Sequence, residues 1–321
     1  MRIDRRFLQW GVFFIALGLL PLGVQAGLLN PAAVADVARI WPVLLIAIGL
    51  GLLLARTPYH FVGGLLVAVT FGLIIGGGLA GGVGAIGCVG GGSGATAFPP
   101  GRGTFGTKAA VDISVDCGSA SLTTAPGSNW GLSGTSDRSR QPRVVSSADL
   151  LSIDNRRGTF LGFGAAKSDW RLQLPTDPTL AIALGLNGAT ATLDLAGIRL
   201  DELQLTTNAG SARIDLSGAA SVGSLDATIN AGDVVIALPP TATSASVTVN
   251  AGHIGFCAPP GVGLTIETSG ALAGNNFADR GLSQDGNTWT SPGYASAAIK
   301  TDLQVTVNAG SVELDPDGGC K

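Results

Sequence analysis

From Val111 to Leu314 apolar side chains recur at every second position in short bursts. Leu225, Ala227 and Ile229 make one burst, and Val234, Ile236 and Leu238 make the next. The pairing returns as Val247 and Val249 before Ile254 and Phe256, and as Val305 and Val307 before Val312 and Leu314. A period of two buries one face of a strand. Between the bursts of each pair stands an Asn-Ala-Gly corner: Asn208 to Gly210, Asn230 to Gly232, Asn250 to Gly252 and Asn308 to Gly310. A degenerate copy, Asn187-Gly188-Ala189, precedes them. Asn and Gly tolerate the left-handed backbone that a sharp corner needs. The first four asparagines lie roughly 20–22 residues apart, a period of stacked repeats. Each repeat reads as strand, corner, strand, turn. Stacked, they predict an all-β, single-chain β-solenoid over residues 107–321, cored by a column of aliphatic side chains.

The less regular stretches are placed around that run. Val111, Ile113 and Val115 lead into Asp116-Cys117-Gly118, followed by Ala120 and Leu122, which predicts an early rung. From Trp170 the rungs run to Thr268, and Ser269-Gly270 is a corner without its Asn. Ala273 to Asp302, with Asn275, Asn276 and Trp289, is expected to be a loop, after which Leu303 to Leu314 closes the stack. Two readings of the asparagines are open. They stack as a hydrogen-bonded ladder, each amide pairing with its neighbour, or each serves only its own corner, the uneven spacing blurring the register.

A different pattern fills residues 1–90. Phe7 to Val24, Ile40 to Ala55 and Phe61 to Leu79 are near-continuous apolar runs. Each approaches the roughly 20 residues that cross a bilayer, which predicts an α-helical membrane segment of three spans. Arg2, Arg5 and Arg6 precede the first run and Arg56 follows the second, so both flanks are expected inside. Three crossings then put the C-terminal domain outside a bacterial cell membrane. Val24-Gln25-Ala26 before Gly27 also resembles a signal-peptide cleavage site, which leaves that placement unchanged. Ala85-Ile86-Gly87-Cys88 looks like a lipobox far from the N-terminus and is read as chance. Residues 91–106, rich in Gly, Ser and Pro, are expected to be a flexible linker.

Composition sharpens the picture. Only 13% of the 321 residues are charged, against about 25% in an ordinary soluble domain. The first ninety residues carry a net charge of +3 and the remainder −6. An acidic solenoid argues against nucleic acid as a partner. Arg138, Arg140, Arg143, Arg156 and Arg157 cluster near Trp130 and Trp170. They form either a solvated face of long side chains or a contact for anionic lipid or teichoic acid.

Catalytic candidates are few. His60 and His253 fall in different domains, so a shared metal or a His-based triad is not expected. Gly82 to Gly87 matches the dinucleotide fingerprint without the strand–turn–helix context that gives it meaning. Asp315-Pro316-Asp317-Gly318 begins like a calcium loop but lacks the later Glu. Asp194, Asp215 and Asp233 are read as solvated, with cation or sugar binding only if they align. No cofactor is expected. Four cysteines allow three pairings. Cys257 with Cys320 would tie the end of the stack, and a buried free thiol is the simpler reading of Cys257.

Trp41-Pro42-Val43-Leu44-Leu45-Ile46-Ala47-Ile48-Gly49 resembles the transmembrane signature of LiaI and LiaF-type bacterial envelope proteins. Trp170 to Pro175, Leu193 to Gly197 and Asn208 to Gly210 resemble the β-solenoid of LiaF-like C-terminal domains and of adhesin-like toast-rack domains. The resemblance implies a non-enzymatic sensor of cell-envelope stress, with the lipid bilayer and a membrane histidine kinase or other envelope protein as partners. It assigns no catalytic residue. That family usually has four crossings where this chain shows three. The alternative is a membrane-anchored structural or adhesin-like surface protein.

Overall fold

The computed structural model describes residues 11–15, 69–70, 95–137, 141–154, 168–270 and 273–320. The chain divides into two compact units, residues 1–89 with 159–165, and residues 90–158 with 166–321. The three apolar runs, Trp41 to Gly49, His60, Gly82 to Gly87 and Cys88 lie outside the described residues, apart from helical residues at 11–15 and 69–70. So do Arg138, Arg140, Arg156 and Arg157. Among the described residues no helix is long and apolar enough to cross a membrane.

Among its described residues the second unit is mostly strand. It opens with β1 (Ala95–Ala97), β2 (Gly101–Thr104), β3 (Lys108–Val115), β4 (Gly118–Ala125), β5 (Asn129–Asp137), β6 (Arg143–Ser146) and β7 (Leu150–Asp154). The regular run holds β8 (Ser168–Pro175), β9 (Thr179–Leu186), β10 (Ala189–Asp194), β11 (Arg199–Thr207), β12 (Gly210–Asp215), β13 (Ser221–Ile229), β14 (Gly232–Ala237), β15 (Thr243–Val249) and β16 (Gly252–Cys257). It ends with β17 (Val262–Ser269), β18 (Ala273–Asn275), β19 (Ser283–Asp285), β20 (Thr288–Thr290), β21 (Ile299–Val307) and β22 (Gly310–Leu314). Two 11-stranded sheets face each other, one ordered β1-β5-β8-β4-β10-β12-β14-β16-β22-β18 with β2 on β5, the other β19-β20-β17-β21-β15-β13-β11-β9-β3-β7-β6. Each coil gives one strand to each sheet, so neighbouring coils pair in parallel without helical crossovers.

The alternation seen in the sequence becomes the core directly. Strand β9 has the burial rhythm half-buried, buried, repeated to its end. In one sheet Ile113, Leu184, Leu205, Ala227, Val247 and Val305 form a single inward row. In the other, Leu122, Leu193, Ile214, Ile236, Phe256 and Leu314 form its counterpart. A few inward positions break the rule, Thr243, Thr301 and Thr207 among them. Thr207, 0% exposed and in register with Leu186 and Ile229, has a hydroxyl with no hydrogen-bond partner among the described residues. Thr207→Val keeps the shape and removes the unpaired hydroxyl. It is expected to stabilise the domain by about 1 kcal/mol in urea melts, and a lower midpoint would mean that the hydroxyl is satisfied.

Three expectations need correction. Residues 91–106 are not merely a linker, because β1 and β2 pair antiparallel with β5. Glycine makes this possible: a Cβ on Gly103 would stand 2.6 Å from the Trp130 indole nitrogen. Residues 273–302 are more than a loop. They carry β18, the β19–β20 hairpin and the start of β21 at Ile299. The last segment of the chain, finally, is not the last rung. Strand β21 lies between β15 and β17, and β22 between β16 and β18. At the opposite end β3 and β4 likewise lie inside β7 and β8.

The ends of the stack are closed in two ways. Antiparallel strands cover the outer edges, with β5 on β8, β6 on β7 and β20 on β17. Aromatic side chains plug the core, with Phe105 against Trp130 at one end and Phe277 edge-on to Trp289 at 5.6 Å at the other. Solenoids need such caps, because an open terminal rung exposes both its edge and its core face.

Candidate functional surface: the corner column

Each corner joins a strand of one sheet to a strand of the other. At Gly232 φ is 144°, in the range that disfavours side chains. A Cβ there would also stand 2.2 Å from the carbonyl oxygen of Gly210, the equivalent residue one rung away. Gly252 stacks on Gly232, and Gly310 on Gly252, in the same manner. The corners therefore form a column of touching backbones.

The asparagines run beside that column as a continuous ladder. Asn208 donates through Nδ2 to Asn187 Oδ1 at 2.6 Å. Asn230 donates to Asn208, Asn250 to Asn230 and Asn308 to Asn250, each at 2.7 Å. The chain of amides ends on a carboxylate, because Asn187 donates to Asp116 Oδ1 at 2.7 Å. An ionised Asp only accepts, so Asp116 sets the direction of every amide above it. Uneven repeat length does not blur the register. An extra residue is absorbed at a bulge between Leu200 and Glu202, on the turn side of the rung.

Removing one step isolates two amide groups. Asn230→Ala takes the donor from Asn208 Oδ1 and the acceptor from Asn250 Nδ2. Water reaches this edge, so the cost is expected to be about 1–2 kcal/mol rather than a full burial penalty. Urea melts check it. No change would mean that each Asn serves only its own turn.

The other polar residues are brought together only in part. Asp194 and Asp215 are register partners, but each accepts hydrogen bonds from its own turn, from Ala196 N and from Ser217 N and Oγ. Asp233 stands apart from them, opposite Ser211 and His253. His253 lies between two carboxylates, with Nδ1 3.2 Å from Asp233 Oδ1 and Nε2 3.5 Å from Glu313 Oε2. The carboxylates approach from opposite sides of the ring and do not converge on one point. Asp233 is 66% exposed and Glu313 40%, so solvent screens both contacts. No group of three or more potential metal ligands occurs among the described residues. Asp315 is a turn residue whose carboxylate accepts from Ala258 N, and Asp317 pairs with Arg280.

Cys257 is not a free thiol. It is bonded to Cys320, with Cα atoms 5.5 Å apart and a sequence separation of 63. Cys117 is also disulfide-bonded.

Sequence reasoning passed over two features. Asp116 as the foot of the ladder was signalled by its corner position before Cys117-Gly118. A second column, Thr206, Thr228, Thr248 and Thr306, stands in register on the outer face. Its signal was a Thr two residues before the Asn of each Asn-Ala-Gly corner.

Residues 106–252 match the family described as the N-terminal domain of toast_rack, DUF2154. A search of the curated proteins finds no match. Among solved structures, a "putative cell adhesion protein" from Clostridium sporogenes is similar at 12% identity and a TM-score of 0.44, covering 67% of this chain and 98% of that one. A "putative adhesin" from Bacteroides fragilis is similar at 9% identity and a TM-score of 0.25, covering 68% and 97%. Another from Parabacteroides merdae stands at 10% identity and 0.24, covering 70% and 98%. The β-solenoid assignment rests on the strand pairing and on the toast_rack match.

Proposed function

We propose that this chain is a multi-pass bacterial membrane protein whose β-solenoid lies outside the cell membrane and acts, without catalysis, as a binding or sensing module for the cell envelope in the manner of LiaF. One observation carries the non-catalytic part. The most regular polar residues of the repeat, Asn187 through Asn308, are engaged with one another and with Asp116, so the repeat works as a scaffold. The toast_rack match over residues 106–252 supports the same reading. Membrane placement is supported by the three apolar runs and their arginine flanks. The Cys257–Cys320 bond supports an outside location, because structural disulfides persist in oxidising compartments. A histidine kinase within the membrane is the partner this reading implies.

Deleting residues 107–321 in the native bacterium tests the reading. Transcription of the envelope-stress regulon under cell-wall antibiotic should change. An unchanged regulon together with lost surface attachment would replace this reading with that of an anchored adhesin. Sidedness is checked separately. After reduction, a membrane-impermeant thiol reagent should reach Cys320 in intact protoplasts, and labelling only after lysis would put the domain inside.

A further inference from the structure

The residues after β22 fold back over the domain. Asp315, with φ 47°, turns the chain onto the outer face of the sheet that contains β22. Its amide donates to Phe256 O at 2.7 Å, and its carboxylate accepts from Ala258 N at 2.9 Å. Pro316 lies over Gly255, where a Cβ would stand 2.8 Å from Pro316 Cγ. Arg213 donates to Gly319 O, and Cys320 is bonded to Cys257. Strands β22, β16, β14 and β12 lie side by side, so this short segment bridges from β22 to Arg213 on β12.

The face beneath the segment is unlike the face beyond it. Val235, Ala237, Gly255 and Cys257 point outward there, whereas the register partners on β12 are Arg213 and Asp215. A cavity of about 460 Å³ lies alongside, walled by Val235, Ala237, Pro240 and Pro259 and by the polar groups of Arg213 and Asp215. The segment lies over Gly255 and forms one wall of this groove.

One of these anchors is covalent, and it is reachable. Cys320 is exposed, while Cys257 is 8% exposed. The remaining anchors among the described residues include single hydrogen bonds, a proline contact and the Arg280–Asp317 pair, whose carboxylate is 99% exposed. Strand β22 does not depend on them. It is paired with β16 from Gly310 to Leu314, and Val312 and Leu314 are buried.

We propose that Asp315–Cys320 is a redox-latched strap, held over the groove by the Cys257–Cys320 bond and released by a dithiol reductant. A thiolate of the reductant attacks the exposed Cys320 sulfur. The disulfide breaks, and its electron pair leaves on the Cys257 sulfur, which takes up a proton. The second thiol of the reductant then closes on the mixed disulfide and frees Cys320 as a thiol. The protein gains two thiols and the reductant becomes a disulfide. Release bares Gly255 and breaks the Arg213–Gly319 hydrogen bond.

Hydrogen exchange on the full-length protein in detergent tests this, comparing oxidised wild type, dithiothreitol-treated wild type and Cys320→Ser. The hydrogen-bonded amides of Asp315 and Gly319 should exchange about tenfold faster or more in both altered samples, while β12, β14, β16 and β22 keep their protection. A strap that stays protected in Cys320→Ser overturns the proposal, because the other contacts then suffice. So does loss of protection in β16 and β22, which would make the bond a support of the rung itself. Release in Cys320→Ser but not with dithiothreitol also overturns it, because the bond would then be beyond the reach of a dithiol.

Discussion

Truncation after Ala298 is expected to abolish cooperative folding of the solenoid, although it removes only the last strands of the chain. Strands β21 and β22 are interior. Strand β21 pairs with β15 through seven residues and with β17 through eight. Their loss removes the buried Leu303, Val305, Val307, Val312 and Leu314. It also strands β17, whose other partner is the short β20. In a stacked repeat the loss of an end rung costs one interface, whereas loss of an interior rung costs two. The informative comparison is the larger deletion of residues 262–298, which joins Gly261 to Ile299. Val262 and Ile299 are register partners, so the join is short. This variant loses the outer rung and its cap but keeps β15, β21, β16 and β22 contiguous. Urea melts of residues 95–321 carrying each change should show a cooperative transition for the larger deletion and none for the smaller. The opposite order would show that the last segment is peripheral.

Gly232→Val should be strongly destabilising, at about 4 kcal/mol from backbone strain and steric overlap together. Two independent constraints act at this residue. Its φ of 144° disfavours a β-branched side chain, and the added Cβ would fall 2.2 Å from Gly210 O. The clash is with backbone, so no rotamer relieves it. Moving away would separate β14 from β12, which pair from Ser211 to Asp215, and would break the Asn208–Asn230 step beside them. Asp233→Ala is the matched control. Asp233 is exposed, and its side chain makes a screened approach to His253, so a shift within about 0.5 kcal/mol is expected. Equal urea midpoints for the two variants would refute the stacked-corner account.

The period-two rhythm, the corner residues and the repeat length determined locally that residues 107–321 form coils with an aliphatic interior. Those signals lie within one repeat, and burial follows from them wherever the coil is stacked. The rung at Val111, the corner glycines and the inward Phe256 were legible for that reason. The order of the coils was not. Val305 and Val307 continue the pattern equally well beside β15 or beyond β17, because every rung offers the same aliphatic face and the same ladder edge. The long excursion through β18 to β20 allows either position, and only the assembled stack selects the interior one. The asparagine register was undecided in sequence for a related reason. Spacing along the chain counts the turn residues, while the ladder depends on the corner alone, and the bulge at Leu200 and Glu202 uncouples the two. Cys257 and Cys320 meet because the chain turns back at Asp315 and the absent side chain of Gly255 admits Pro316. That contact lies between segments far apart in sequence, where local pattern carries no information about distance.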